Sequence, residues 1–500
     1  MKEEQITVAK LKEIIVEQAK EINLLKEKID YLLRQQFSSK SEKFNSNQPS
    51  LFDSDKNEES IEIEEDKEIE IAFKRKKGGR TSPSKHLPRV IIEHDITEEE
   101  KVCSCGDTMH RIKEVVSEQY DIIPAKFQII RNVRYVYGCR CGVAPFTTPL
   151  APSILPKTQV SSSFLATVAV QKFEDALPLY RQAKIYKNRF GVPFTDTTLS
   201  NWMIKASQRL TPLIERLKER LSQNDYIQAD ETTLQVLKAH KGKADKKSYI
   251  WMGVGMDRYK VVYMHYANNR SATVASTLFK DFSGYLQTDG YTGYNTVVQT
   301  EGITHLACWA HARRKFADII KSGVSDEASK TYAKEAVALI QKLYKIEKEI
   351  KDDPPKKKQC IRKEKSQPII DTIRAWLDAN FFQAQKLGGA IAKAFVYLDN
   401  QFIKLGVYLE DGRLHIDNNG AENHIRPMVL GRKNWLFATS VKGAEAIATW
   451  YTLIETAKAN GLEPYGYLKY LLTELPYFIR DGRDIESLLP WNVEGVAKLA

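Results

Sequence analysis

The chain has 500 residues, too many for one hydrophobic core, and ordinary domain sizes predict three or four folded units. Its formal net charge of +11 favours a polyanionic partner. It has no run of about 18 apolar residues, and its charged N-terminus lacks the apolar core of a signal peptide, so we expect a cytoplasmic protein that does not span a membrane.

The first predicted element is an amphipathic helix over residues 8–33, where apolar residues recur in heptads. One set of positions seven apart holds Val8, Ile15, Ile22 and Ile29, and the other holds Leu11, Gln18, Leu25 and Leu32. β-Branched residues in the first set and leucines in the second favour a parallel two-stranded coiled coil, with Gln18 marking the register. The alternative is a helix packed against its own domain.

Charge changes sign along the next segment. Residues 53–70 contain ten acidic and two basic residues and are expected to form a solvated linker. Residues 74–89 contain seven basic and no acidic residues, with glycines that allow close approach to a phosphate track or a minor groove. Lys76, Lys77 and Arg80 are the predicted DNA contacts here, and a basic linker that only improves solubility is the alternative.

Four of the six cysteines form two close pairs beside strand-like sequence, Cys103 with Cys105 and Cys139 with Cys141. In a reducing compartment, four thiolates suit tetrahedral zinc, which would stabilise a small module without a large core. Each pair is spaced C-x-C, one residue closer than the usual C-x-x-C. Free thiols in a small β-unit are therefore the alternative.

Residues 163–208 predict helices interrupted by a Gly-Val-Pro break, with the second helix capped near Asp196 or Thr197. This layout is typical of a helix-turn-helix, in which Asn201 and Lys205 would face DNA. Plain packing of two helices explains the same pattern equally well.

Strand patterns begin near residue 225. The order of three strands, a helix, a strand, a helix and a strand is typical of an RNase H-like α/β domain, with a hairpin turning at Asp257 and Arg258. Asp230 lies on the first strand and Asp289 at the end of the fourth, so neighbouring strands can bring these acids together. Phosphoryl transfer by two divalent ions needs such bridging carboxylates, but two aspartates alone do not establish a site.

Segments along most of the chain resemble one protein family. Its C-terminal catalytic block is matched by HIDNNGAENHIRPMVLGRKNWLFATSVKGAEAIATWYTLIETAKANGLEPYGYL, and its core by DALPLYRQAKIYKNRFGVPFTDTTLSNW, QADETTLQV, LQTDGYTGYN and CWAHARRKF. Its zipper-like region resembles LLRQQFSSKSEKF, and its zinc-binding module resembles LPRVIIEHDITEEEKVCSCG and VRYVYGCRCG. The family is the transposase of insertion sequence 66, a DDE-type enzyme of the RNase H-like, retroviral-integrase superfamily. The C-x-C spacing departs from its pattern.

The resemblance implies an acidic triad of Asp230, Asp289 and Glu422, which would bind two Mg²⁺ or Mn²⁺ ions per active site. Asp417 is the rival third acid, but it stands where a helix N-cap would stand. Glu422 then lies one turn into that helix, with Arg426 four residues on, able to touch a phosphate or orient the carboxylate. Pro427 is expected to end or kink the helix.

Other residues near these motifs have two interpretations each. Cys308 and His311 resemble a C-x-x-H signature that positions DNA or packs the strand end, with metal ligation as the lesser alternative. Tyr291 and Tyr294 stack on a splayed base or simply pack. Basic residues after these motifs are predicted phosphate contacts or parts of a solvated helix face, namely Arg313, Arg314, Lys315, Arg432 and Lys433.

The predicted architecture is a multidomain α/β protein, with an RNase H-like catalytic domain interrupted by a helical insertion. A coiled coil, a small zinc-ribbon-like module and a helical DNA-binding region precede this domain. The expected segments are a coiled coil (1–45), a charged linker (46–85), a zinc-binding module (86–150), a helix-turn-helix-like region (151–222), the first part of the core (223–311), a helical insertion (312–410), the last part of the core (411–470) and a C-terminal tail (471–500).

The predicted function is metal-dependent cleavage of the 3′ ends of an insertion sequence and transfer of those ends to target DNA. Double-stranded DNA, a second copy of the chain and Zn²⁺ are predicted partners, and the resemblance also suggests small accessory proteins of the same element. The bound form would associate with the bacterial nucleoid. The alternatives are a repurposed DNA-binding protein without activity, or an RNase H-like nuclease that cuts without joining.

Overall fold

The computed structural model describes residues 149–239, 246–299, 301–322 and 326–499, together with 125–137, 146–147 and the single positions 18 and 91. The chain divides into two compact units, residues 58–148 and residues 1–57 with 149–500. Apart from Gln18, which is helical, the heptad region lies outside the described residues. The same holds for the predicted DNA contacts Lys76, Lys77 and Arg80, and for the predicted zinc ligands Cys103, Cys105, Cys139 and Cys141.

The described part of the smaller unit contains a short antiparallel pair, β1 (Val136–Tyr137) and β2 (Phe146–Thr147). Val136 pairs with Thr147 and Tyr137 with Phe146. In the sequence, the two strands flank the second predicted cysteine pair.

Within residues 149–239, four helices precede the first long strand: α1 (Ser162–Phe173), α2 (Leu179–Phe190), α3 (Asp196–Arg209) and α4 (Thr211–Ser222). α2 ends at Gly191, whose φ of 69° is the left-handed conformation that glycine adopts without strain. α3 is capped by Thr195, whose hydroxyl accepts the Thr198 N–H at 3.1 Å. The cap therefore lies just before the two positions predicted from the sequence, because the Thr195 hydroxyl reaches the third residue of the helix.

The predicted helix-turn-helix segment corresponds to α2, the turn at Gly191 and α3. One face of α3 is buried through Trp202, Met203 and Ala206. Asn201 and Lys205 are exposed on the other face, and a DNA contact by either residue stays a prediction.

In the described part of the larger unit, five strands form one mixed sheet with the order β5-β4-β3-β6-β7. The strands are β3 (Tyr226–Leu234), β4 (Ser248–Gly255), β5 (Val262–Ala267), β6 (Gly284–Thr288) and β7 (Ile303–Ala307). The first three are antiparallel neighbours, as the predicted hairpin requires, whereas β6 runs parallel to β3 and β7 parallel to β6.

Helix α5 (Ala272–Leu278) connects β5 to β6. A helix was also expected between β6 and β7, and this prediction is wrong: two 3₁₀ turns, Thr292–Tyr294 and Val297–Gln299, occupy the connection. The segment contains Gly290, Gly293 and Gly302, and glycine disfavours a continuous α-helix.

A helical layer follows β7. It consists of α6 (Trp309–Ser322), α7 (Glu327–Glu349), α8 (Pro355–Ile361), α9 (Gln367–Leu387) and α10 (Gly389–Gly406). These helices share a core with β7 through apolar side chains such as Leu306, Phe316, Leu343, Leu377 and Phe395. Arg362, only 2% exposed, lies in the π-helical turn after α8 and pairs with Glu347 of α7 at 2.6 Å.

The chain then returns to the sheet through α11 (Asn419–Trp435), and continues with α12 (Val441–Ala459) and α13 (Pro464–Asp481). α12 lies against β5, where the hydroxyls of Thr452 and Thr456 accept the backbone N–H groups of Met264 at 2.8 Å and Val262 at 3.1 Å. α13 contacts α1. Among the described residues, none of the helices is both long and apolar enough to cross a bilayer.

Candidate active site

The first two predicted acids lie on neighbouring parallel strands, Asp230 in the middle of β3 and Asp289 directly after the end of β6. The β3–β6 register pairs Gln228 with Gln287, and two further residues along each chain bring Asp230 level with Asp289. Because side chains alternate across a sheet, Asp230 lies on the same face as Gln228, two residues before it on β3. Both carboxylates are partly buried.

The third predicted acid reaches this face from α11. Glu422, 5% exposed, is in the first turn of the helix. Gln228 holds that turn in place, since its Oε1 accepts the Ala421 N–H at 3.0 Å and its Nε2 donates to the Asp417 carbonyl at 3.0 Å. Asn418 adds a bond from its side-chain amide to the Ala229 carbonyl at 3.0 Å. The start of α11 is thus bonded directly to the strand that carries Asp230.

A buried polar cluster beneath the acids was not predicted. Gln228 Nε2 also lies 2.9 Å from the Tyr226 hydroxyl and 2.8 Å from Gln287 Oε1, and Gln287 donates to the His415 carbonyl at 2.9 Å. All three side chains are 0–1% exposed. The repeated Gln-x-Asp of QADE and QTDG is the sequence signal that could have revealed this pair of glutamines.

Gly420 is required by the same arrangement. A Cβ at this position would collide with Gln228 Oε1, so the helix start can approach β3 closely only with glycine there. The NNGAEN motif therefore combines Gly420, which allows the close approach to β3, with Glu422, which carries the carboxylate.

The three acids share one electrostatic environment. Burial raises the pKa of Asp230 well above its usual value, and Glu231, Asp289 and Glu422 raise it further by repulsion. Burial also raises the pKa of Glu422, although Arg314 opposes this shift. A cluster of carboxylates that disfavour each other's charge is suited to binding cations.

Two arginines partly neutralise the cluster. Arg314 of α6 lies 3.4 Å from Glu422 Oε2, and Arg270 lies 3.9 Å from Asp289 Oδ2. The guanidinium of Arg270 stacks on the ring of Tyr291 at 3.6 Å, which fixes its orientation. Among the residues that the structure describes, Glu422 Oε1 is buried and has no hydrogen-bond partner.

Glu231 is a buried acid that the sequence analysis did not single out. Its side chain is 1% exposed, forms an ion pair with Arg270, and accepts the Tyr294 hydroxyl at 2.6 Å. Burial raises its pKa despite these partners. Of the two predicted tyrosines, Tyr294 is fully buried and packs, whereas Tyr291 is partly exposed and stacks on Arg270.

Asp417 precedes α11 and is occupied by other bonds. Its carboxylate accepts the Asn419 N–H at 3.2 Å and the Tyr344 hydroxyl at 3.1 Å. Asn418, rather than Asp417, is the N-cap residue, although Asp417 does accept a hydrogen bond from the first turn. Pro427 does not end the helix, which continues to Trp435.

The C-x-x-H residues lie directly beside the third acid. Cys308, His311 and Glu422 offer ligand atoms within 4.8 Å of one another. Burial raises the pKa of the Cys308 thiol, whose sulfur accepts the Asn418 N–H at 3.2 Å, and burial lowers the pKa of His311 to about 4. Three donor atoms this close could hold a metal ion, and positioning of DNA or packing of the strand end explains the same arrangement.

His311 is oriented towards the carboxylate. Arg314 approaches His311 Nε2 at 3.4 Å, and because a guanidinium can only donate, this nitrogen accepts and Nδ1 carries the proton. His311 Nδ1 lies 3.6 Å from Glu422 Oε1. Arg314 therefore binds Oε2 of the Glu422 carboxylate, and His311 lies beside Oε1 without a hydrogen bond to it.

The predicted DNA contacts of the larger unit occupy different environments. Lys315 and Lys433 are exposed, whereas Arg313 and Arg426 are partly buried. Arg314 contacts Glu422, and Arg432 donates to Thr232 Oγ1 and Thr233 Oγ1, each at 3.2 Å. A DNA contact by any of these residues remains a prediction.

Comparisons with known proteins place this geometry in a family context. The model described as Transposase IS66 family matches residues 157–446, and the IS66 C-terminal element matches 452–491. The zinc-finger binding domain of transposase IS66 matches 100–142, and Transposase C of IS166 homeodomain matches 24–92. The 100–142 match contains all four paired cysteines.

Two relatives from Sinorhizobium fredii are similar over most of their length. The uncharacterized protein y4jD is 33% identical over 424 residues, covering 82% of this chain and 81% of the relative. The uncharacterized protein y4qI is 33% identical over 427 residues, covering 81% of this chain and 76% of the relative.

Proposed function

The chain belongs to the IS66 transposase family, and from this premise we propose that it is a DDE transposase whose triad is Asp230, Asp289 and Glu422. The family resemblance predicted from the sequence is thereby confirmed. The observation that carries the proposal is the convergence of these three acids from β3, the end of β6 and α11, where burial and then repulsion from Asp289 and Glu422 raise the pKa of Asp230.

We propose that the sheet and its helices form an RNase H-like catalytic domain. Support comes from the strand order, in which three antiparallel strands are followed by two parallel ones and the acids lie on central strands. Helices α7–α10 would then be the predicted insertion, since they lie in the chain between β7 and the helix that carries Glu422.

The donor set fits divalent metal ions. The three carboxylates are hard oxygen ligands, Glu422 Oε1 has no hydrogen-bond partner among the described residues, and burial together with its acidic neighbours raises the pKa of Asp230. Asp230, Asp289 and Glu422 would hold Mg²⁺ or Mn²⁺. Two such ions supply Lewis acidity to both the attacking and the leaving oxygens of a phosphodiester displacement.

The surrounding side chains prepare the site for this chemistry. Gln228 and Asn418 fix the start of α11 to β3, so the position of Glu422 does not depend on a flexible loop. Arg314 orients the Glu422 carboxylate through Oε2, and His311 lies beside its other oxygen. Arg313 and Lys315, the other predicted phosphate contacts on α6, would bind the phosphates on either side of the reacting one. Contacts to the DNA backbone position a duplex without reading its sequence.

The reaction has two displacements in one site. In the first, water attacks the phosphorus at the element's end, the bond to the 3′ oxygen breaks, and a 3′-hydroxyl and a 5′-phosphate are released. In the second, that 3′-hydroxyl attacks a target phosphodiester, loses its proton and displaces the target's own 3′-hydroxyl. No covalent bond to the protein is needed.

Zinc and self-association complete the proposal. The zinc-finger match supports Zn²⁺ binding by the module that contains Cys103, Cys105, Cys139 and Cys141. Pairing of two element ends requires at least a dimer on DNA, and the heptads of residues 8–33 would provide one contact between copies.

The test is an assay with candidate element ends, target DNA and magnesium, scored for nicked and joined products. Asp230→Asn, Asp289→Asn and Glu422→Gln should each reduce both products by at least about 100-fold while DNA binding persists. The matched control is Asp318→Asn, because this aspartate is exposed on α6.

Each alternative function predicts a different product pattern. Normal joining by one of the three variants would remove that residue from the triad. Binding without nicking by the wild-type protein would indicate a repurposed DNA-binding protein, and nicking without joining would indicate a nuclease.

A further inference from the structure

The chain makes a strained turn directly after α11. Leu436 has φ 64° and ψ −54°, and the Phe437 N–H donates to the Trp435 carbonyl at 2.8 Å. These values define a classic γ-turn, a conformation that is rare and costly for a residue with a side chain. The neighbouring structure must therefore hold Leu436 in this conformation.

The turn presents apolar side chains to solvent. Leu436 is 61% exposed and Phe437 40% exposed. Trp435, by contrast, faces the protein, with its ring 5.3 Å from Lys172 Nζ. The turn thus has a two-residue apolar tip made of Leu436 and Phe437.

The tip is attached to the strand that carries Asp230. The Ala438 N–H donates to the Gln235 carbonyl at 2.9 Å, and the Leu237 N–H donates to the Ala438 carbonyl at 3.0 Å. Asp230 and Gln235 are five residues apart on this strand and its extension, about 17 Å at 3.3 Å per residue. That distance corresponds to about five base pairs at 3.4 Å each.

The immediate surroundings of the tip are basic. Lys238 lies three residues after Gln235 and its N–H donates to the Thr439 carbonyl at 3.2 Å, Lys433 lies three residues before Leu436, Lys442 is the second residue of α12, and all three are exposed. Lysines around an apolar tip would bind a partner that has both negative charge and an apolar interior. Double-stranded DNA has both properties once a base step opens, because the stacked faces of the bases are apolar and the backbone is charged.

We propose that Leu436 and Phe437 form a wedge that enters between base pairs of the bound duplex, within about five base pairs of the reacting phosphate. The proposal rests on the proposed function, because it assumes that DNA lies at the acidic triad. The strained turn holds the wedge extended, so insertion does not require the loop to become ordered first. Opening a base step near the triad would also give the reacting strand freedom to enter the site.

The test measures binding of the full-length protein, without metal, to two short duplexes of one sequence, fully paired or with one central mismatch. Each carries 2-aminopurine beside the central step, a base whose fluorescence rises when it unstacks. A wedge protein should bind the mismatched duplex roughly tenfold more tightly, because part of the unstacking cost has already been met. The fluorescence should rise on binding.

The test variant combines Leu436→Gly with Phe437→Ser, since glycine keeps the turn without strain. Its preference for the mismatch should fall to about one, while affinity for the paired duplex changes little because the lysines remain. Ile403→Ser is the matched control, because Ile403 is an apolar residue 88% exposed on α10. This control should behave like the wild-type protein.

Equal affinity of the wild-type protein for both duplexes would overturn the wedge, as would a preference retained by the test variant. Weaker self-association of the variant with an unchanged preference would assign the tip to a contact between copies instead. The assay needs no cleavage, so its failure is distinct from failure of the proposed function. A protein that joins DNA without preferring the mismatch would retain the transposase proposal and lose the wedge.

Discussion

The bonds of Gln228 make a sharp prediction about how the third acid is held. Gln228→Met replaces the amide with an apolar side chain of similar size, so the core stays filled while the hydrogen bonds are lost. The Ala421 N–H and the Asp417 carbonyl then have no partner on β3. We expect the first turn of α11 to loosen and Glu422 to leave its position.

The expected loss of stability follows from the two backbone groups that lose their hydrogen bonds. A buried polar group left without a partner costs about 1–3 kcal/mol, so two such groups cost about 2–6 kcal/mol. About 2 kcal/mol lost at the Ala421 N–H alone corresponds to roughly 30-fold faster amide exchange. A displacement of about 1 Å at Glu422 would slow nicking by about 100-fold.

Hydrogen exchange followed by mass spectrometry on the peptide that spans the start of α11 measures the first effect, and the nicking rate measures the second. Gln235→Met is the matched control, because Gln235 lies just beyond the same strand with an exposed side chain. Its exchange and nicking rates should equal those of the wild-type protein. DNA binding should be retained in both variants.

Two results would refute this reasoning. Unchanged exchange in Gln228→Met would mean that the glutamine does not anchor the helix start. Faster exchange with a normal nicking rate would mean that the position of Glu422 is set elsewhere, for example by His311 and Arg314.

Four other predictions concern stability, metal and assembly. Asp230→Asn should raise the melting temperature of metal-free protein at neutral pH. Folding raises the pKa of Asp230, so above the pKa that this group has in the unfolded chain its charged carboxylate destabilises the fold. An unchanged melting temperature at neutral pH would contradict this prediction. Arg270→Ala leaves the buried Glu231 without its cation and should cost about 2–3 kcal/mol in chemical denaturation, whereas Arg270→Lys should cost less. Metal analysis of reduced protein should find about one zinc per chain, lost when the four paired cysteines are replaced by serine. Polar replacement of Ile22 and Leu25 should turn a peptide of residues 1–36 from a helical dimer into a disordered monomer, since each buried side chain contributes about 1.5–3 kcal/mol; a wild-type peptide that sediments as a monomer would exclude the coiled coil.

The strands and many of the helices could be predicted because their signals are local. Alternating apolar residues mark β3 to β5, and the order of the strands in the sequence predicts that Asp230, on the first strand, and Asp289, at the end of the fourth, can share a site. Glu422 depended on the family motif, since 133 residues separate it from Asp289 (422 − 289) and no local pattern spans such a gap. The helix predicted between β6 and β7 was wrong. It was expected from the order of elements typical of an RNase H-like domain, and the glycines in this connection, which disfavour a helix, were not taken into account.

Only the tertiary structure showed how the site is held together. Gln228 meets Ala421 only because α11 packs against β3. Glu231 meets Arg270 only because the segment after β5 packs against the same strand. The γ-turn at Leu436 is equally invisible in the sequence, because leucine carries no preference for a positive φ. Hydrogen bonds between distant segments form only when the whole fold brings those segments together. A strained backbone conformation likewise persists only where surrounding contacts offset its conformational energy, which the residue's own propensity does not do.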